Sequence, residues 1–371
     1  MDKVKNEDFY QKQVSLSEWL RFSGFEKTEE FNEEDNEKRE RLKVLNEIIG
    51  LPFDKPTQFL ATDIIDKSPL FIDFINKRGE ELCAIRLIPY DNKLPKLRLR
   101  GEKISGAVEW FFKQEIDPKS YKVDFVPHNE TNLWASIIVV NKNGIFGEII
   151  ADVHSHLTQG FYEKEKPILF HYDFKKWSLS VDNKTALNHL KTIVKKLKVA
   201  DVKKRKELKE KFGAKFYRNY IGGYWETVCS NDFGLWFIDY NRILGEMYKD
   251  FIPKIEMKNT PEKTIIKGQS ASLGLVSGVV KIITAKEVNN IVVIDEGTII
   301  VCDVTTPDFV PLMKKCLAIV TDRGGILSHA AIVSRELNLP CVVATGNSTT
   351  LLRDGMKIQV NANEGIIEII S

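Results

Sequence analysis

The chain has 371 residues, of which 43% are hydrophobic and 29% charged, with 54 Lys and Arg against 52 Asp and Glu and a formal net charge of +2. That length leaves room for two or three domains with real cores, and the composition excludes a disordered or fibrous protein. Near-neutral charge is not the electrostatic footprint of a duplex-binding protein, and no stretch reaches the ~18 to 20 consecutive apolar residues a membrane span needs, so neither nucleic acid nor membrane is an expected partner.

Residues 1–48 are rich in charge, and Asn32 to Arg41 lead into Leu42, Val44, Leu45, Ile48 and Ile49 at helical spacing, which predicts a helical arm with a solvated charged face. The start, Met1 to Asp8, lacks the apolar core of a secretory leader, which predicts a cytoplasmic protein. The five cysteines, Cys83, Cys229, Cys302, Cys316 and Cys341, are an odd set without C-x-x-C spacing and are expected as reduced, mostly buried thiols.

From 49 to 252 the pattern is α+β. β-like runs at Leu82–Ile88, Tyr121–Val126, Trp134–Val140 and Ile145–Ala151 interleave with a helical stretch at Ile104–Lys113, and 184–215 predict one or two amphipathic helices with a lysine-dense solvent face. His154 and His156, two apart, would share a face if they lie in a strand, but no third ligand stands at a suitable spacing, so they are not read as a metal pair. A stretch with Pro253 and Pro261 and no sustained period predicts a linker over 253–266. Residues 267–371 alternate β-like runs (Val279–Ile283, Ile291–Ile294, Gly297–Cys302, Ala318–Thr321, Cys341–Ala344, Lys357–Val360, Ile366–Ile370) with helical segments at 308–315 and 329–337, which predicts a compact α/β domain.

In that last domain Thr321 to Pro340 reads as strand, glycine turn (Gly324, Gly325) and a helix with Ser328 as N-cap, ending before Pro340. The ring of His329 then sits in the first turn, where free N–H groups and the helix dipole stabilise an anion held on or near the imidazole. Glycines let the backbone approach closely, and a neutral imidazole is a competent nucleophile toward phosphorus. The plain alternative is a helix-start histidine with a satisfied hydrogen bond.

The whole string, with Asp303 to Asp308 upstream and Leu339 to Val343, Asp354-Gly355 and Asn363-Glu364-Gly365 downstream, closely resembles the phosphohistidine, or swivelling, domain of the phosphoenolpyruvate-utilising enzymes. It covers nearly all of 267–371. The resemblance implies a β/β/α swivelling domain with His329 as the phosphoryl carrier, supported by Gly324, Gly325, Ser328 and Arg335. One departure is Leu327, where dikinases and synthases carry Thr, Ser or Asn two residues before the histidine.

The same resemblance implies an ATP-grasp-like nucleotide-binding domain upstream. Cys83-Ala84-Ile85-Arg86 stands where the family has a strand ending in a phosphate-binding arginine, followed by Leu97-Arg98-Leu99-Arg100-Gly101; planar, permanently charged guanidiniums suit a triphosphate. Gly144 to Ile150, with Glu148, and Leu157 to Gly160 look like the family's nucleotide-facing segment. Asp239 and Asn241 share a strand face, and with Glu226 on the preceding strand they resemble the magnesium ligands of ATP-grasp enzymes. The family's glycine-rich, lysine-bearing N-terminal loop is not found, and Lys93, Lys96 and Lys103 are the expected substitutes.

The expectation is therefore an ATP- and magnesium-dependent phosphotransferase working through phosphohistidine. Its acceptor, a small molecule or protein, would be bound by another chain, by the N-terminal arm or at the domain interface, since no pyruvate-binding barrel follows residue 371. The alternative is a non-catalytic or partner-dependent phosphohistidine carrier.

Overall fold

A computed structural model of the chain describes residues 16, 20, 23–91, 94–128, 132–160, 166–255, 265–285, 287, 288 and 293–370. The first half of the predicted arm, Lys93, most of the linker (256–264) and the start of the strand expected at 291 lie outside the described residues.

Two helices come first, α1 (Thr28–Asn36) and α2 (Lys38–Ile49), the second closed by Gly50 in the left-handed region. A four-stranded antiparallel sheet follows, built from β1 (Thr57–Leu60), β2 (Leu82–Pro89), β3 (Leu97–Lys103) and β4 (Tyr121–Pro127) in the order β1-β4-β2-β3. Helices α3 (Ala61–Ile65), α4 (Pro69–Arg78) and α5 (Ile104–Phe112) cover the face carrying Cys83, Ile85, Leu87, Val123 and Phe125. Strict alternation then places Arg86, Arg98, Arg100 and Asp124 on the other face.

The next sheet is six-stranded and antiparallel. It comprises β5 (Trp134–Asn141), β6 (Gly144–Ile150), β7 (Ile168–Tyr172), β8 (Trp177–Leu179), β11 (Gly223–Ser230) and β12 (Gly234–Asn241), in the order β12-β11-β5-β6-β7-β8. Helix α6 (His154–Gln159) follows β6; α7 (Lys184–Leu197), α8 (Val202–Phe212) and the short pair β9 (Phe216–Tyr217) and β10 (Tyr220–Ile221) precede β11; α9 (Arg242–Met247) follows β12. One face, with Ile138, Val140, Ile145, Phe170, Trp225 and Tyr240, is buried under α2, α7 and α8. The predicted arm is thus not a separate appendage, because Leu42 and Leu45 of α2 belong to this core.

The last sheet is mixed, with β13 (Ile265–Lys267), β14 (Gln269–Ser272), β15 (Leu275–Ile282), β16 (Thr298–Cys302), β17 (Ala318–Thr321), β18 (Cys341–Val343), β19 (Lys357–Asn361) and β20 (Ile366–Ile369) in the order β13-β20-β19-β15-β16-β17-β18-β14. Its central strands β15 to β18 run parallel, and α10 (Val310–Met313), α11 (His329–Glu336) and α12 (Ser348–Leu351) make the connections. The fold class is the expected mixture of α+β and α/β: two antiparallel sheets with their helices, followed by a domain built on a mixed sheet. What positions the site is the second face of the six-stranded sheet. Ala135, Ile137, Val139, Phe146, Ile150 and Leu169 on it form one continuous core with Ile300, Phe309, Ile326, Leu327, Ile332 and Val333 of the last domain, so the helix that begins at His329 is packed down onto that sheet. Among the described residues no helix is long and apolar enough to cross a membrane.

Candidate active site

The loop from β17 to α11 is tied down at both ends. Asp322 accepts hydrogen bonds from the Ser348 hydroxyl (2.6 Å), the Thr345 hydroxyl (2.7 Å) and the Thr349 backbone N–H (3.2 Å); burial opposes its charge, and these donors override burial to hold the carboxyl below its ordinary value. Arg323 forks onto Asp303. Gly324 takes φ +103°, and a Cβ added to Gly160, just past α6, would lie 2.5 Å from the Gly324 Cα, so two glycines are needed where that segment and the loop touch. Ser328 caps α11 as predicted, its hydroxyl accepting from the Ala331 N–H at 3.4 Å, and His329 is the first helical residue.

The His329 ring is partly accessible and is pushed down to about 4, first by burial and then by the charges of Arg98 and His154. It is therefore neutral at physiological pH, the state a nucleophile at phosphorus requires. At pH 5 a ring titrating near 4 stays about 90% neutral, whereas an ordinary histidine near 6.5 is about 3% neutral. We expect the His329 ring carbons, followed by NMR against pH, to titrate near 4; a midpoint above 6 would show the ring in open solvent. Because the depressed value belongs to the packed state, lowering the pH from 6.5 through 4 should also weaken that packing.

Of the predicted arginines, Arg98 stands near enough for its charge to act on this ring. Arg98 lies directly opposite Arg86 in the β2/β3 register, Arg100 is two residues along on the same face, and Asp124 flanks Arg86 on β4. Arg100 is exposed as a residue, and desolvation of its guanidinium, then Arg98 and Arg86, lower it to about 9. Such a concentration of positive charge is stabilised by an anion between the groups.

Across the cleft Glu226 of β11 and Asp239 of β12 are direct register partners. Glu226 accepts from the Tyr224 hydroxyl at 2.9 Å, and its other oxygen is 3.4 Å from His154 Nε2. Asp239 Oδ2 pairs with Lys38 Nζ at 2.7 Å, while its Oδ1 is buried with no hydrogen-bond partner. An orphaned, buried carboxylate oxygen beside a second carboxylate fits a magnesium ion, which takes one or two protein carboxylates and completes its shell with phosphate and water. No group of three or more His, Cys, Asp or Glu is gathered for a metal among the described residues. Asn241 is buried and its Oδ1 accepts from the Leu244 N–H at 2.8 Å, so it serves as the N-cap of α9.

Three expectations change. The charge run of the arm is not a solvated face: Glu34, Arg39 and Arg41 are buried, Lys38 bridges Asp35 (2.8 Å) and Asp239, and Lys96 reaches Asp35 at 2.9 Å. Burial would raise Asp35, and the two lysines override it, holding the carboxyl well below the usual range. Arg39, ion-paired with Asp54, is lowered to about 9 by burial and by Arg86. Second, of the substitute lysines Lys96 joins this network, whereas Lys103 pairs with exposed Glu80. Third, His154 and His156 lie on α6 rather than a strand, where residues two apart diverge; His156 turns to Asp152 (2.8 Å) and His154 to the acid pair.

Glu148 also lies elsewhere than expected. It is 1% exposed, under the His329 loop and beside the amides of Ile326 and Leu327, and burial raises its carboxyl to about 7 against the pull of those amides. Arg335 does not reach into the cleft but stacks on Tyr248 and Phe251, its guanidinium carbon 4.4 and 4.0 Å from their centroids.

Residues 294–365 match the family model of the mobile domain of PEP-utilising enzymes. The chain is 48% identical over 143 residues to the phosphoenolpyruvate synthase of Pyrococcus furiosus, an overlap of 38% of this chain and 17% of that protein. It is 50% identical over 106 residues to a probable phosphoenolpyruvate synthase of Archaeoglobus fulgidus, covering 28% of this chain and 14% of that one. The chain therefore spans less than a fifth of these relatives. Among solved structures, Enzyme I matches 21% of the chain and 32% of its own at 34% identity and TM-score 0.20, and the D-Ala:D-Ser ligase VanG of Enterococcus faecalis matches 56% of the chain and 52% of its own at 9% identity and TM-score 0.28.

Proposed function

Residues 294–365 belong to the mobile domain of phosphoenolpyruvate-utilising enzymes, a family that transfers phosphoryl groups through histidine, and from that premise we propose that the chain is an ATP-dependent phosphotransferase. The observation that carries the reading is the position of His329, a neutral imidazole at a helix start near Arg98, with the Glu226–Asp239 pair across the same cleft.

The nucleotide lies between the arginine face of the four-stranded sheet and the acid pair of the six-stranded one. Arg86, Arg98 and Arg100 hold and neutralise the phosphate oxygens, and the His329 ring nitrogen attacks phosphorus in line. An N–P bond forms as a P–O bond breaks, and the leaving oxygen keeps the electron pair. By resemblance the attacked atom is the β-phosphorus, so AMP departs with its α-phosphate oxygen; loss of the terminal phosphoryl group to water then leaves phosphohistidine. Glu226 and Asp239 would hold magnesium, which supplies charge neutralisation at the phosphates. Release of the loop from the sheet would carry the group to an acceptor, a small molecule or protein. Lys38, Lys96 and Arg39 supply the cationic surround expected from a glycine-rich loop.

The test is incubation of the chain with ATP and magnesium, labelled separately at the β and γ positions, with detection of acid-labile, base-stable label on His329. Label from the β position supports the reading. No label from either would favour a carrier that needs a partner to load it.

Asp239→Ala is expected to weaken magnesium-dependent nucleotide binding by about tenfold or more, roughly 1.4 kcal/mol. Titration calorimetry with and without the metal checks this, and equal affinities for both proteins would remove Asp239 from the metal site.

A further inference from the structure

Glu148 is a buried carboxylate of the six-stranded sheet that meets backbone of the last domain at the His329 loop. A Cβ on Gly325 would overlap both carboxylate oxygens of Glu148, so that carboxylate lies against the loop backbone, beside the amides of Ile326 and Leu327. The Tyr248 hydroxyl donates to the Ile326 carbonyl at 3.0 Å, so the same stretch of backbone is held from a second side.

The register decides what this grip is for. Asp239 pairs with Glu226, Glu226 with Ile137, and Ile137 with Glu148, so the acid pair and Glu148 stand in one row on one face of one sheet. Strands are ~4.8 Å apart, which puts Glu148 about 10 Å from Glu226 across a rigid hydrogen-bonded ladder. His329 follows Gly325 by four residues. We propose that Glu148 is a positioning residue: by docking the backbone of residues 325–327 onto the row that bears the acid pair, it sets the distance from the His329 ring to the reacting phosphate.

The proposal rests on the phosphotransferase reading for its consequence, but the docking is measurable without nucleotide. It also assigns Gly325 its role, since only a residue without Cβ lets the loop seat on the carboxylate. A one-ångström error in such a distance is enough to cost about 10²-fold in rate.

The experiment is a double-mutant cycle on the full chain with Glu148→Ala, Gly325→Ala and the pair, with Glu148→Gln as the conservative variant. Amide hydrogen exchange over 324–328 is read first, with no nucleotide present. Each single change is expected to speed exchange by about tenfold or more, the consequence of losing the packed contact beneath the loop, and Glu148→Gln, which keeps the side chain's volume, should speed it less. Because the two residues act on one contact, the double variant should be no worse than the worse single. Nucleotide affinity should stay within about twofold while the rate of His329 labelling falls with the exchange protection. Unchanged exchange in Glu148→Ala, or effects of the two changes that multiply, would overturn the docking role. Should the unaltered chain take no label from ATP, the phosphotransferase reading fails, and the exchange cycle still decides the docking.

Discussion

Replacing His329 by alanine is expected to abolish phosphoryl transfer, a loss of about 10⁴-fold or more, because the change removes the only atom proposed to bond phosphorus. The fold should not suffer. The helix is started by Ser328, whose hydroxyl caps the Ala331 N–H, and alanine is at least as good a helix former as histidine at the next position. Nucleotide binding should persist as well, since the arginine face on β2 and β3 and the acid pair on β11 and β12 are all built from other elements. The measurement is paired: calorimetry for the nucleotide and acid-labile label for the transfer. Transfer surviving in His329→Ala would move the nucleophile elsewhere. His154 would then be the first ring to test, because it is buried beside Glu226 and its pKa is lowered by burial, so it too is held neutral.

Glu34→Ala is expected to destabilise the unit formed by α1, α2 and the six-stranded sheet by about 3–5 kcal/mol, the cost of stranding buried cations when their counter-charge is removed. Glu34 is 4% exposed and lies between two guanidiniums. Its carboxylate accepts from the Arg242 backbone N–H (2.7 Å), Nε (3.0 Å) and Nη2 (2.5 Å), and Arg41 Nη1 stands 3.4 Å away. Arg41 is itself buried and its charge is already penalised by burial, with Glu34 the largest compensating neighbour. Glu34→Gln keeps the shape and one acceptor and should recover part of the loss. Urea unfolding followed by tryptophan fluorescence reads it, as a shift of the first transition rather than as one global value, since several sheets need not unfold together. A change below about 0.5 kcal/mol would mean that Arg41 relaxes toward Glu37, which already stands 3.8 Å away on the next turn. The same variant should weaken nucleotide binding, because α1 and α2 bring Asp35 and Lys38 to the cleft.

Much of this architecture was legible in the chain. The runs at 82–88, 121–126, 134–140 and 145–151 became strands within a residue or two of their expected ends, and so did those at 318–321, 341–344 and 357–360. Gly324, Ser328 and His329 fell where a strand, a glycine turn and a capped helix put them. Arg86, Arg98 and Arg100 share a sheet face because they stand at even spacings on paired strands, and Glu226 and Asp239 meet because their strands form a hairpin. Residues 154–159 were left open between strand and other forms, and they are a helix. Two histidines two apart have no period of their own, and a six-residue helix is too short to announce itself.

What the sequence by itself determined is local: which segments are strands or helices, where one helix is capped, and which residue begins it. These follow from hydrogen bonds and side-chain periods that span only a few positions. The tertiary structure alone decided which charges are buried and whom they meet. Lys38 reaches Asp239 across 201 residues of sequence and Glu34 reaches Arg242 across 208, separations over which a charge run reads the same whether it faces water or a cleft. It also placed Glu148 beneath the loop at Gly325 rather than on an open face, because a residue without Cβ lets that backbone settle onto the carboxylate.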